Sequence, residues 1–173
     1  MKKTVFITGA VRSGKSSLAL KLAKASCKQV VFLATCKPQD AEMKKRVHKH
    51  KQSRPKTWKT IEEDINVPAL IRKFKTEKEL IILDCLTLWV SNLLCSGCKE
   101  KEILKKIDDL LSALKKTKAT VIIVSNEVGW GIVPDNEMAR IFRDIMGIAH
   151  QKVAKISDEV YLVVSGMMLK MKG

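Results

Sequence analysis

Five short apolar runs punctuate the chain: Val5–Thr8, Val30–Ala34, Leu80–Asp84, Thr120–Ser125 and Val160–Ser165. Most are continuous rather than alternating, which predicts strands buried on both faces of a parallel sheet. Between them the period changes to that of amphipathic helices. Ile103, Leu104, Ile107, Leu110, Leu111 and Leu114 step along one helical face, with lysines and acids opposite. A second helix is predicted from Asn136 to about Ile156, with Met138, Ile141, Phe142, Ile145 and Ala149 turned inward, and a third starts near Ser16 and carries Leu18, Leu20, Leu22 and Ala23. After Gly166, Met and Leu alternate with Lys from Met167 to Met171, the pattern of an antiparallel edge strand returning from a hairpin. The expected architecture is α/β, a mostly parallel sheet flanked by helices with a C-terminal antiparallel edge hairpin. No repeat, low-complexity stretch or linker divides it, so residues 1–173 are expected to form a single domain.

The segment between the first strand and the first helix carries the most specific chemistry. Gly9, Ala10, Val11, Arg12, Ser13, Gly14, Lys15 and Ser16 form a complete G-x-x-x-x-G-K-S phosphate-binding loop. Its glycines let the backbone wrap phosphate, and the first N–H groups of the following helix point at phosphate oxygens. Lys15 supplies a point charge to the terminal phosphates, and the Ser16 hydroxyl is suited to ligate Mg2+. The chain is therefore read as a P-loop NTPase domain of the RecA-like kind that binds a nucleoside triphosphate. Asp84 closes a central strand at the position where such proteins place a magnesium-holding carboxylate.

Composition narrows the partners. Hydrophobic residues make up 46% and charged residues 29% of the 173 positions, ordinary values for a globular protein. The formal net charge of +15 admits nucleic-acid binding. The lysines, however, are spread over most helices, and only three Trp, four Phe and one Tyr are available for base stacking, so no nucleic-acid partner is expected. Lys2 and Lys3 precede the first strand directly, and no apolar run reaches membrane-spanning length. A cytoplasmic protein is expected. The five cysteines are odd in number, and Cys95 and Cys98 make only half of a zinc-site pattern, so free thiols are expected.

A basic helix follows the second strand, with Asp40 as a plausible N-cap and Pro55 marking its end. Helical spacing puts Arg46, His50 and Arg54 on one face. An imidazole between two guanidiniums suits a nucleophile that attacks phosphate, but the same pattern also describes a solvated basic helix. Glu127, in the segment Ser125-Asn126-Glu127-Val128-Gly129, ends another strand on the same side of the sheet. It suits a base, a substrate contact or a loop anchor.

These segments together resemble the bifunctional adenosylcobinamide kinase / adenosylcobinamide-phosphate guanylyltransferase family of cobalamin biosynthesis. The resemblance rests on the P-loop, on Glu42, Met43, Arg46 and His50, on Arg54, Pro55 and Trp58, on Leu83 to Trp89 with Asn92, on Ser125 to Gly129 with Gly131 to Pro134, on Arg140 with Phe142 to Asp144, and on Val163 to Gly166. It covers essentially the whole chain. It implies phosphorylation of the aminopropanol hydroxyl of adenosylcobinamide by ATP or GTP. A covalent guanylyl-histidine, formed by attack of His50 on the α-phosphate of GTP, would then pass GMP to the phosphorylated corrinoid. It further implies that Ala34, Thr35, Cys36, Lys51, Gln52, Ser53, Arg54, Glu62 and Asp84 lie in the nucleotide site, and that the protein assembles as a homotrimer. Asp84 thus has two candidate roles, Mg2+ ligand or nucleotide contact. The chain departs from the family pattern at Ala10, where a glycine is usual, at His150, where asparagine is usual, and at Trp130 in a glycine-flanked loop.

Overall fold

The computed structural model describes residues 1–37, 41–52 and 54–173, with positions 43, 44, 46 and 48–50 described by backbone alone. The elements run β1 (Thr4–Gly9), α1 (Lys15–Lys24), β2 (Gln29–Ala34), α2 (Ala41–Gln52), β3 (Lys59–Glu62), α3 (Val67–Ile71), β4 (Glu79–Asp84), α4 (Leu86–Cys95), α5 (Glu100–Lys116), β5 (Thr120–Val124), α6 (Glu137–Ile156), β6 (Glu159–Val164) and β7 (Met167–Lys172). The strands form one sheet in the order β3-β2-β4-β5-β1-β6-β7. All neighbours are parallel except β6 and β7, which pair antiparallel around Ser165 and Gly166. Both turn residues have positive φ, 50° and 82°, as a two-residue hairpin turn requires.

All five apolar runs are strands, and the Met/Lys segment is the antiparallel edge. Strict alternation along each strand then divides the core in two. Phe6, Val31, Leu33, Ile81, Leu83, Val121 and Ile123 face one side, where Trp89, Leu93, Ile107, Leu110, Met146 and Val153 from the helices cover them. Val5, Ile7, Val30, Phe32, Leu80, Ile82, Ile122 and Val124 face the other, against Ala19 and Ala23 of α1. Trp89 is fully buried, and its indole N–H donates to the carbonyl of Ile65 at 2.9 Å, so its one polar atom is satisfied.

Three elements go beyond the sequence expectation. The edge strand β3 carries a single half-buried apolar residue, Ile61, because only one neighbour covers it. The helix α3 is a single short turn of five residues. In α4, Leu86, Trp89, Val90 and Leu93 are all buried under α5 and α6, so it lacks a polar face. The end of α2 needs a correction. The helix stops at Gln52, and Arg54 lies beyond it, its N–H turning back to the carbonyl of Lys51 at 3.3 Å. Arg54 therefore does not continue the face carrying Arg46 and His50. The proposed Asp40 cap and Ser53 lie outside the described residues, as do the side chains of Arg46 and His50.

Candidate active site

The strand order sets the site. With β5 inserted between β1 and β4, the carboxyl ends of β3, β2, β4, β5 and β1 stand side by side. In register, Glu62 is opposite Ala34, Ala34 opposite Asp84, Asp84 opposite Val124, and Val124 opposite Ile7. At about 4.8 Å per strand, Glu62 and the phosphate loop flank Asp84, each roughly 10 Å away along the edge.

The phosphate loop closes between Gly9 and α1. Gly9 (φ 151°) pairs with Val163 so closely that a Cβ would lie 2.2 Å from the Val163 carbonyl oxygen, which requires glycine there. Gly14 (φ 104°) caps α1 in a left-handed conformation. Positive φ in the loop also falls on Arg12 but not on Ala10, so the alanine is accommodated. Lys15 is 6% exposed and folds over the loop, its Nζ donating to the Ala10 carbonyl at 2.6 Å. Burial lowers its pKa, opposed by Cys85 and Asp84. Burial first, then Asp84, pushes the Cys85 thiol up to about 12, so it is uncharged at neutral pH and Asp84 is the counter-charge to Lys15. The buried hydroxyls Thr8 Oγ1 and Ser13 Oγ have no partner among the described residues, leaving polar capacity around the loop.

Asp84 also acts on a second cation. Arg54 lies over the Phe32 ring with its guanidinium carbon 3.4 Å from the centroid, and one of its buried terminal nitrogens has no partner among the described residues. Burial lowers the Arg54 pKa while Asp84 and Glu62 hold it up. Lys51, Arg54, Pro55, Trp58 and Glu62 line a cleft of about 550 Å³, within which Lys51 and Glu62 form an ion pair of 2.7 Å. Cys36 sits at the same end of the sheet; burial, Asp84 and Glu62 raise its thiol pKa and keep it neutral. The Thr35 hydroxyl is engaged with both backbone groups of Cys85, donating to its carbonyl and accepting from its N–H, each at 2.8 Å. Val11 is exposed, and Gln52 is exposed at the end of α2. Ser16, half-buried in the first turn of α1, and Asp84 offer a hydroxyl and a carboxylate, oxygen donors of the kind a Mg2+ ion takes beside phosphates.

Sequence reasoning missed two features. Asn92 donates its amide to the carbonyls of Thr35 and Asp64 at 2.8 and 3.2 Å, holding the ends of β2 and β3. His150 of α6 joins Ser125 and Glu127 at the mouth of the phosphate loop. Only spatial proximity reveals both.

A P-loop between β1 and α1, an acid at the end of β4 and β5 between those strands define a P-loop nucleotide-binding fold. An ATPase described as prototypical of the type III secretion system of pathogenic bacteria has the same fold, with a TM-score of 0.60 at 13% identity, covering 98% of this chain and 58% of that one. The ATP synthase subunit NeqB of Nanoarchaeum equitans gives a TM-score of 0.57 at 16% identity, over 92% of this chain and 45% of that one. These likenesses establish the fold alone. The chain belongs to the enzyme family described as cobinamide kinase / cobinamide phosphate guanyltransferase, which it matches over residues 5–171. It is 39% identical over 180 residues to the bifunctional adenosylcobalamin biosynthesis protein CobU of Escherichia coli (strain K12), covering 97% of this chain and 99% of the relative. To the bifunctional adenosylcobalamin biosynthesis protein CobP of Pseudomonas aeruginosa it is 38% identical over 168 residues, 96% of each chain.

Proposed function

We propose that the protein phosphorylates the aminopropanol hydroxyl of adenosylcobinamide and then transfers GMP from GTP, through a guanylyl-histidine at His50, to give adenosylcobinamide-GDP. Family membership across the whole chain supports this reading. The observation that carries it is the position of Asp84 in the sheet, two strands from Glu62 of the Lys51–Arg54 cleft on one side and two strands from the phosphate loop on the other. One carboxylate thereby links the triphosphate cradle to the segment that brings the nucleophile.

In this reading residues 9–16 hold the triphosphate and Lys15 neutralises its terminal charge. Ser16 and Asp84 would hold Mg2+, which when bound offsets phosphate charge and favours departure of pyrophosphate. The cleft at Lys51, Arg54 and Glu62, with Ala34 opposite Glu62 at the end of β2, Thr35 and Cys36 following it, and Gln52 and Ser53 next to Lys51 in sequence, receives GTP. A carboxylate there suits guanine, whose N1–H and N2–H donors adenine lacks at that edge. His50, through its imidazole nitrogen, attacks the α-phosphorus and pyrophosphate leaves; the corrinoid phosphate then attacks the same phosphorus, the P–N bond breaks and the imidazole is released.

The test is incubation with Mg2+ and GTP labelled at the α- or the γ-phosphate, followed by denaturation. Acid-labile, base-stable protein-bound label from the α position only, absent in His50→Ala, is the expected result. Intact GTP binding without covalent label would favour a kinase lacking the covalent step.

A further inference from the structure

We propose that Glu127 receives the proton of the acceptor hydroxyl in the phosphoryl-transfer step, and that His150 is the positioning residue that holds its carboxylate. The inference rests on the kinase half of the function proposed above.

Because β5 lies between β1 and β4, the segment leaving it emerges between the phosphate loop and Asp84. The N–H of Glu127 donates to the carbonyl of Gly9 at 2.8 Å, fastening the residue to the first position of the loop. Each carboxylate oxygen faces one nitrogen. Oε1 accepts from the N–H of Gly129 at 2.8 Å, and Oε2 lies 3.4 Å from Nδ1 of His150. Each oxygen keeps a further lone pair.

Behind the imidazole runs a chain of hydroxyls. Thr87 Oγ1 accepts from the N–H of Asn126 at 2.7 Å and lies 2.9 Å from Ser125 Oγ, which lies 2.7 Å from Nε2 of His150. One proton arrangement satisfies every member. Thr87 donates to Ser125 and Ser125 donates to Nε2, which leaves the ring proton on Nδ1, facing Glu127 Oε2 at 3.4 Å. This selects the tautomer whose N–H points at the carboxylate. The Phe6 ring, 5.4 Å from the imidazole centroid, closes the apolar side.

Such an arrangement makes Glu127 an acceptor with a fixed direction. Lys15 cannot take the role, since its ammonium only donates. In the step, the hydroxyl oxygen forms its bond to the γ-phosphorus as the bond to the β-bridging oxygen breaks. The electron pair leaves with the nucleoside diphosphate, and the hydroxyl proton passes to Glu127. Guanylylation of His50 and transfer of GMP to a phosphate involve no alcohol proton, so the two activities should separate at this residue.

The experiment compares Glu127→Gln, Glu127→Asp, His150→Ala and His150→Asn with the unmodified protein, measuring phosphorylation of adenosylcobinamide and covalent labelling from α-labelled GTP. Glu127→Gln should lower kcat for phosphorylation by about a hundredfold or more, the usual range for a general base, with KM for nucleotide changed by about twofold at most. Covalent labelling should continue. His150→Ala should lower the same kcat about tenfold or more, and His150→Asn, whose amide can donate in place of Nδ1–H, should restore most of it. Should the Gln variant not fold, Glu127→Asp withdraws the carboxylate by one methylene and should lower kcat about tenfold. Phosphorylation by a folded Glu127 variant within about threefold of the unmodified rate overturns the assignment, as does a parallel loss of both activities. An unmodified protein that transfers no phosphoryl group to adenosylcobinamide overturns the kinase reading itself.

Discussion

The N–H of Gly166 donates to the carbonyl of Ser13 at 2.9 Å, joining the tip of the β6–β7 hairpin to the phosphate loop. The hairpin thus braces the nucleotide cradle from a strand pair that carries no proposed catalytic group. With Gly166 at φ 82°, Gly166→Ala introduces a left-handed alanine, at about 1 kcal/mol. The expected outcome is an unfolding free energy, read from denaturant titration, lowered by that amount together with weaker nucleotide affinity. Lost stability with unchanged affinity would mean that the hairpin does not support the loop.

Glycines elsewhere divide by what surrounds them. At Gly9 a methyl group meets the Val163 carbonyl at 2.2 Å, and that backbone is fixed by β1–β6 pairing. Gly9→Ala should cost about 3 kcal/mol or more, or abolish soluble expression. Gly147, inside α6, has nothing within 4 Å of a Cβ. Gly147→Ala should stabilise by about 0.5–1 kcal/mol, through helix propensity and a less free unfolded chain. Chemical denaturation of the two variants checks both signs.

Lys15 and His50 should separate the shared cradle from the covalent step. Lys15→Ala removes the charge that both reactions need and should abolish both, while the melting temperature holds because a buried ammonium is also removed. His50→Ala should abolish guanylyl transfer and spare at least part of the kinase rate. Parallel assays of both activities decide; full turnover of either one by Lys15→Ala contradicts a shared site.

Arg54 stacks on Phe32, and one of its buried terminal nitrogens has no partner among the described residues. A lysine reproduces the charge but not the planar fork. Arg54→Lys should therefore weaken GTP binding about tenfold, near 1.4 kcal/mol, with the fold intact. Equal affinity, measured by calorimetry, would assign the Arg54 contact to folding alone.

What the sequence disclosed follows from locality. The phosphate loop and the five apolar strands are contiguous patterns, each readable within a few residues, and their parallel order follows from the helices between them. The pattern fails where structure depends on neighbours far along the chain. Ile61 alone marks β3, whose edge position removes the need for a buried face. Leu86 to Cys95 is apolar around most of its circumference and so shows no helical stripe. Arg54 keeps helical spacing with His50, yet the chain turns before Pro55, and spacing cannot report a turn that backbone bonding makes. His150 meets Ser125 and Glu127 only because α6 packs back across β1 and β5.

His150 should also leave a signature in stability. Burial lowers its pKa below the ordinary imidazole value of about 6.5, with Glu127, the charged group facing it, opposing. The folded state thus binds a proton less readily than the unfolded chain. Its contribution to stability is complete above pH 6.5 and is lost as pH falls from about 6.5 toward the depressed folded value. The Nε2 contact to Ser125 gives the same sign, since protonation reverses a hydrogen-bond chain whose Thr87 end already accepts from Asn126. The unmodified protein should lose up to about 1.4 kcal/mol per pH unit more than His150→Asn across that window. Groups that do not touch His150 contribute equally to both proteins and cancel in the difference. Denaturation curves from pH 7.5 to 5 check this; parallel curves for the two proteins would mean that His150 titrates alike in the folded and unfolded chain.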